Sequence, residues 1–224
     1  MKRMLIAVIA ALPLWPLASV VSAQAPAPLP PAGPLAPTPS APTVSSTVQQ
    51  YLLNPHGEVD GLLLIDGTSV RFPPHLGAAL TSTVKPGDVV TVIGFAGLAT
   101  PQGRGMKALT ITNATTGHTV VDQPPATPPL PPHQRGLYQA PLTVSGTVMR
   151  YLVNPRGDVD GLVLASGEQV KFRPHQGPRV MGLVGTAGGM ITVSGFGTRN
   201  AFGTVVDADS ITVGNQTFAL RRRR

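Results

Sequence analysis

The apolar positions fall into short segments, broken too often by proline and glycine for long helices. Residues 44–53 alternate loosely between apolar and polar side chains, the period of a strand with one face inward. Asn54-Pro55-His56-Gly57 then puts proline at the second and glycine at the fourth position, as a type I turn prefers. The apolar run 59–65, the dipeptide Asp66-Gly67 and the return segment 68–72 predict a hairpin with Val70 and Phe72 on one face. Pro73-Pro74 ends that strand and opens a short helix, along which Leu76, Leu80 and Val84 recur every fourth residue. Lys85-Pro86-Gly87-Asp88 turns the chain again. Residues 89–95 and 106–112 supply two more strands, separated by the glycine-rich segment 97–105.

The same pattern recurs 100 residues later. The stretch that starts at Thr47 matches the one that starts at Thr147 at 17 of 30 positions, and the match continues, with one residue of slippage, through Thr91–Phe95 against Thr192–Phe196. Two copies are too few for a solenoid, so each unit is expected to close its own core.

Three strands, a short helix and two strands in about 75 residues is the order of an OB-fold. On this order and turn spacing the chain resembles tandem OB-fold-like repeat proteins of the bacterial cell envelope, exported and without a known ligand. The resemblance implies a mainly β chain: two small five-stranded OB-like barrels, each with one short helix between strands 3 and 4, joined by proline-rich linkers. Closure into a barrel suits a unit of this size without disulfides, because it leaves no long strand edge bare. A small SH3-like or sandwich-type barrel is the alternative architecture. OB barrels share topology and not ligand, so the resemblance brings no catalytic residues with it.

Composition adds the layout. Eight prolines fall in residues 24–43 and seven in 123–141, and such segments favour solvated polyproline II over a packed core. Lys2 and Arg3, an apolar stretch to Val20 and the small-residue site Val21-Ser22-Ala23 read as an export signal. The expected layout is a signal peptide at 1–23, a disordered Pro/Ala-rich segment at 24–43, OB-like repeat 1 at 44–118, a linker at 119–142, repeat 2 at 143–218 and a basic tail at 219–224. A periplasmic or secreted location follows from the signal, with no later transmembrane span. Two barrels on a tether would reach a partner at two points.

The chain has no cysteine, which excludes thiolate metal sites, cysteine nucleophiles and disulfides. Its formal charge of +7 becomes +5 without Lys2 and Arg3, and Arg221–Arg224 hold four of those, so the folded body is close to neutral. The basic tail can contact anionic surfaces. Nucleic-acid binding needs a positive groove with stacking aromatics, and near-neutral repeats with few aromatics argue against it.

The chemistry-bearing residues that recur in both copies are Asp60 with His75 and Asp160 with His175. A carboxylate and an imidazole on neighbouring strands are candidate metal ligands or a base with its orienter. One such pair falls short of a tight site, so the reading is structural: no catalytic residue, no resident metal and no cofactor. Arg71, its counterpart Lys171, and Arg173 join them as candidate binding residues. Glu58 and Asp60, two apart on one strand, form a carboxylate pair without further support. The expected function is an exported, non-enzymatic binding or scaffolding protein whose partner is an envelope protein or glycan. The alternatives are a metal-binding or hydrolytic protein using the Asp/His pairs, and anionic-ligand or oligonucleotide binding through the barrels and tail.

Overall fold

The computed structural model describes residues 41–125, 127–185 and 187–220. The expected signal segment, nearly all of the segment 24–43 and Arg221–Arg224 lie outside the described residues.

In the first repeat β1 (Thr43–Leu53), β2 (Val59–Leu64) and β3 (Thr68–Arg71) follow in sequence. A 3-10 turn, Pro74–Leu76, leads into α1 (Gly77–Thr83), and β4 (Val89–Ala96) and β5 (Arg104–Asn113) complete the unit. β1 runs antiparallel to β2 and β4; β3 is antiparallel to β2 and parallel to β5; and β4 is antiparallel to β5. The circuit 1-2-3-5-4-1 closes, which is the OB barrel expected from the order of elements. Beyond it, β6 (Thr119–Val121) adds to the free edge of β5.

The second repeat rebuilds the same circuit from β7 (Ala140–Val153), β8 (Val159–Leu164), β9 (Gln169–Lys171), α2 (Gly177–Val184), β10 (Met190–Asn200) and β11 (Gly203–Val213). β12 (Gln216–Ala219) lies on β11 as β6 lies on β5. These sixth strands lie outside the expected five. β6 falls in the segment read as linker, and β7 begins three residues before the expected start of repeat 2.

Local chemistry explains the repeated turns. Asn54 Oδ1 accepts from the N–H groups of His56 and Glu58 at 3.0 and 3.1 Å, and Asn154 does the same for Arg156 and Asp158 at 2.8 and 3.1 Å. The asparagine side chain thus mimics a turn carbonyl and fixes the β1–β2 and β7–β8 hairpins. The helices plug the barrels. Leu80 and Val84 are fully buried with Leu62, Val70 and Val92, and Val180 and Val184 occupy the matching places in the second barrel. Tyr51 and Tyr151 donate their hydroxyls to the carbonyls of Val84 and Gly185 at 2.7 and 2.6 Å, tying each helix end to the first strand.

A third apolar cluster lies between the barrels, formed by Leu52, Leu63, Leu152 and Val163 with Met149 against it. These are the outward positions of β1, β2, β7 and β8, so the two β1–β2–β3-type faces pack on each other. Both barrels belong to one compact unit. The picture of two barrels reaching independently from a tether is therefore corrected: their outer apolar positions are buried only because the barrels meet.

The connecting segment is also held. His75 Nε2 lies 2.8 Å from the carbonyl of Gln123, Arg135 pairs with Glu58, and Thr198 donates to the carbonyl of Tyr138 at 3.5 Å. Burial raises the Glu58 carboxyl, but the hydrogen bonds from Arg135 and Asn54 outweigh it and hold the group below the usual carboxylate range. Among the described residues no helix is long and apolar enough to cross a membrane.

Candidate functional site

Five of the seven candidate residues converge where the barrels meet. Asp60 on β2 and Asp160 on β8 occupy equivalent places, one residue into each strand, and their carbonyls accept from Phe72 and Phe172 N–H at 3.0 and 3.1 Å. Arg71 ends β3 directly across from Gly61, and Lys171 ends β9 across from Gly161. A Cβ on Gly61 would stand 2.4 Å from the carbonyl of Val70 and 3.4 Å from Arg71 Cδ. The glycine is what lets β3 close on β2 and lets the arginine stem lie across the strand. The Asp-Gly pair repeated in the sequence thus carries a charge and makes room for its partner.

Arg71 binds both carboxylates. Its Nη1 lies 3.3 Å from Asp60 Oδ1 in its own barrel, and its Nη2 lies 3.3 Å from Asp160 Oδ1 in the other. A guanidinium can serve two acceptors at once with its planar fork. Lys171, its counterpart, is only 8% exposed. Burial, reinforced by repulsion from Arg71 and partly offset by Asp60 and Asp160, lowers its ammonium to a pKa of about 8. These residues line an open groove of about 450 Å³, whose walls also include Asn54, Asn154, Phe172 and the exposed Arg173.

The histidines stand elsewhere. His75 turns its ring to the connecting segment, and His175 is exposed at the 3-10 turn Pro174–Gln176 that leads into α2. The expected Asp/His pairing is corrected, because the carboxylates face the other barrel and Arg71 takes both. No group of three or more His, Asp or Glu side chains among the described residues is placed to hold a metal ion. Glu58 is likewise engaged, with Arg135 and Asn54, and forms no carboxylate pair with Asp60.

Sequence reasoning missed the residues that lock the barrels. Gln169, 1% exposed, accepts from Leu53 N–H at 2.9 Å and donates to the carbonyl of Tyr51 at 2.8 Å. Its counterpart Ser69 is too short to reach across, and its buried hydroxyl has no hydrogen-bond partner. Asn200 donates to the carbonyl of Gly57 at 2.7 Å and Thr198 to that of Pro55 at 3.1 Å, so the β10–β11 hairpin grips the first barrel's β1–β2 turn. In the opposite direction the approach is by backbone: a Cβ on Gly105 would stand 2.0 Å from the carbonyl of Asn154. Val205, which replaces that glycine in the second repeat, is fully buried in the first barrel's core. Copies of one unit have diverged into the two unequal halves of an interface. The legible signal is that Gln169 and Lys171 flank the single apolar residue Val170 of this short strand.

No family model and no curated protein matches this chain. Among solved structures, a deletion variant of the single-stranded DNA binding protein from Thermus aquaticus is similar over 80% of this chain and 96% of that one, at 13% identity and a TM-score of 0.25.

Proposed function

We propose that the chain is an exported, non-enzymatic binding or scaffolding module in which two OB-like barrels are fused into one body. The observation that carries this reading is the fate of the ligand face. OB barrels that hold oligonucleotides or oligosaccharides do so across strands 2 and 3 and the adjoining loops. Here the outward side chains of β2 and β3, Leu63, Ser69 and Arg71, lie against or beside the other barrel.

The groove at that junction supports the same reading. Its carboxylates Asp60, Asp160 and Asp207 are matched in formal charge by Arg71, Lys171 and Arg173, which leaves no net positive field for a polyanion. Oligonucleotide binding is thereby disfavoured, and partners are assigned to the outer surface of the fused pair. The charged start, apolar stretch and small-residue site of residues 1–23 support a location in the envelope or outside the cell.

Expression of the full chain with its own signal, followed by cell fractionation and by titration of the purified protein with a fluorescent single-stranded oligonucleotide, tests the reading. Recovery outside the cytoplasm, with no saturable oligonucleotide binding at low salt, is the expected result. Cytoplasmic retention, or tight oligonucleotide binding abolished by Arg71→Ala, would overturn it.

A further inference from the structure

One amine at the junction is left without a partner. Of the three lysines among the described residues, Lys85 and Lys107 are exposed, whereas Lys171 is only 8% exposed. It ends β9 opposite Gly161, where a Cβ would stand 3.4 Å from Lys171 Cδ, so the glycine makes room for the lysine stem as Gly61 does for Arg71. The two copies then part company. Arg71 takes both Asp60 and Asp160, and among the described residues the Lys171 amine forms no ion pair.

The surroundings favour the neutral form of this group. A buried ammonium without an ion pair is costly, and Arg71 adds repulsion to that cost, while Asp60 and Asp160 pull the other way and only partly offset it. Arg173 and Asp207, the other charged groups on the groove wall, match each other in formal charge. A neutral amine is a nucleophile. Desolvation and a neighbouring cation are the two devices that activate lysine toward carbonyl carbon, and Lys171 has both. Its exposed edge lines the open groove of about 450 Å³, beside Pro155, Phe172 and Pro174.

We infer that the Lys171 amine condenses with a small uncharged aldehyde admitted by the junction groove and holds it as an imine. The nitrogen lone pair attacks the carbonyl carbon, the C–N bond forms, and the C=O π pair moves to oxygen, which takes a proton from nitrogen. The carbinolamine then loses its oxygen as water, with nitrogen's second proton, and the C=N bond closes. No oxidant or reductant is consumed. An uncharged electrophile fits because the charges on the groove wall already balance. Since the groove is open, water reaches the imine and reverses the capture. This stoichiometric binding goes beyond the proposed function, and depends neither on the macromolecular partner nor on where the chain resides.

The test is incubation of the full chain at pH 7 with glycolaldehyde and sodium cyanoborohydride, which reduces the imine to a stable secondary amine, followed by peptide mass mapping over time. Lys171 should be modified roughly fivefold or more faster than Lys85 and Lys107, although those two are the exposed ones. Its lead should shrink as pH rises and the exposed ammoniums lose their protons in turn. Arg71→Met removes the neighbouring cation and releases Asp60 and Asp160 to hold the ammonium, so the Lys171 rate should fall at least to that of Lys85 and Lys107, which stay unchanged. A melting curve in the same buffer identifies the folded variant. Modification of Lys171 no faster than Lys85 and Lys107 in the parent chain would overturn the inference, as would an undiminished lead in folded Arg71→Met. Either result leaves the proposed function standing, because location and oligonucleotide titration test that separately.

Discussion

Gln169 on β9 completes the backbone hydrogen bonding of Leu53 on β1, although the two belong to different barrels and lie 116 residues apart in sequence. Its amide takes the place of an added strand at the edge of β1 that β4, paired only with Thr43–Thr47, no longer covers, with one acceptor and one donor 2.9 and 2.8 Å from the groups they satisfy. Gln169→Ala leaves the buried Leu53 N–H and Tyr51 carbonyl without partners. Each such orphan costs about 1–3 kcal/mol, so a loss of about 3 kcal/mol is expected in urea unfolding. Ser69→Ala removes a hydroxyl that bonds to nothing and should be neutral or slightly stabilising.

Arg71 forms ion pairs with both Asp60 and Asp160, so its removal leaves two carboxylates facing each other across the junction. The side chains are 15–22% exposed, so solvent screens part of the cost and Arg71→Met should lose about 2 kcal/mol rather than the 3–5 of a fully buried pair. Arg71→Lys should recover little, because an ammonium lacks the planar fork that reaches both oxygens. Chemical denaturation of the three proteins in parallel checks the ranking.

Lys171 gives a pH dependence with a defined sign. Its folded pKa of about 8 lies below the ordinary 10.5, so between those values the unfolded chain binds more protons than the folded one. Stability contributed through this group therefore rises as pH increases from about 8 to 10.5, and the cost of holding a charged ammonium is fully present below 8. Lys171→Met should stabilise the protein at pH 7 and flatten that part of the curve, as read from melting temperature against pH.

The two buried tyrosine hydroxyls anchor the helices from equivalent places. Tyr51→Phe and Tyr151→Phe each remove one hydrogen bond and leave a helix-end carbonyl unpaired, with an expected loss of about 1 kcal/mol apiece. Because the hydroxyls lie in separate barrels, the double variant should show the sum of the two effects within a few tenths.

Much of the barrel was legible in the chain because turn chemistry is local. Asn54-Pro55-His56-Gly57, Asp66-Gly67 and Pro73-Pro74 mark the places where the backbone must reverse or stop, and the strands between them follow. The junction was harder to read because a strand buried on both faces loses its alternation. Leu62 and Leu64 point into the barrel and Leu63 points at the other barrel, so the run reads as uniformly apolar whichever way it packs. Asp60 and Asp160 stand out in the sequence by recurring with His75 and His175, whereas an arginine shared between units leaves no mark in local spacing.

That the barrels form one body through their β1–β2–β3-type faces is tested most directly by a distance measurement between them. The chain has no native cysteine, so spin labels attach only where cysteines are added, at Thr119→Cys on β6 and Thr217→Cys on β12. A single narrow distance distribution, broadened when Leu63→Asp is introduced at the junction, is the predicted result. A distribution in the parent chain as broad as that of two domains on a flexible tether would contradict it.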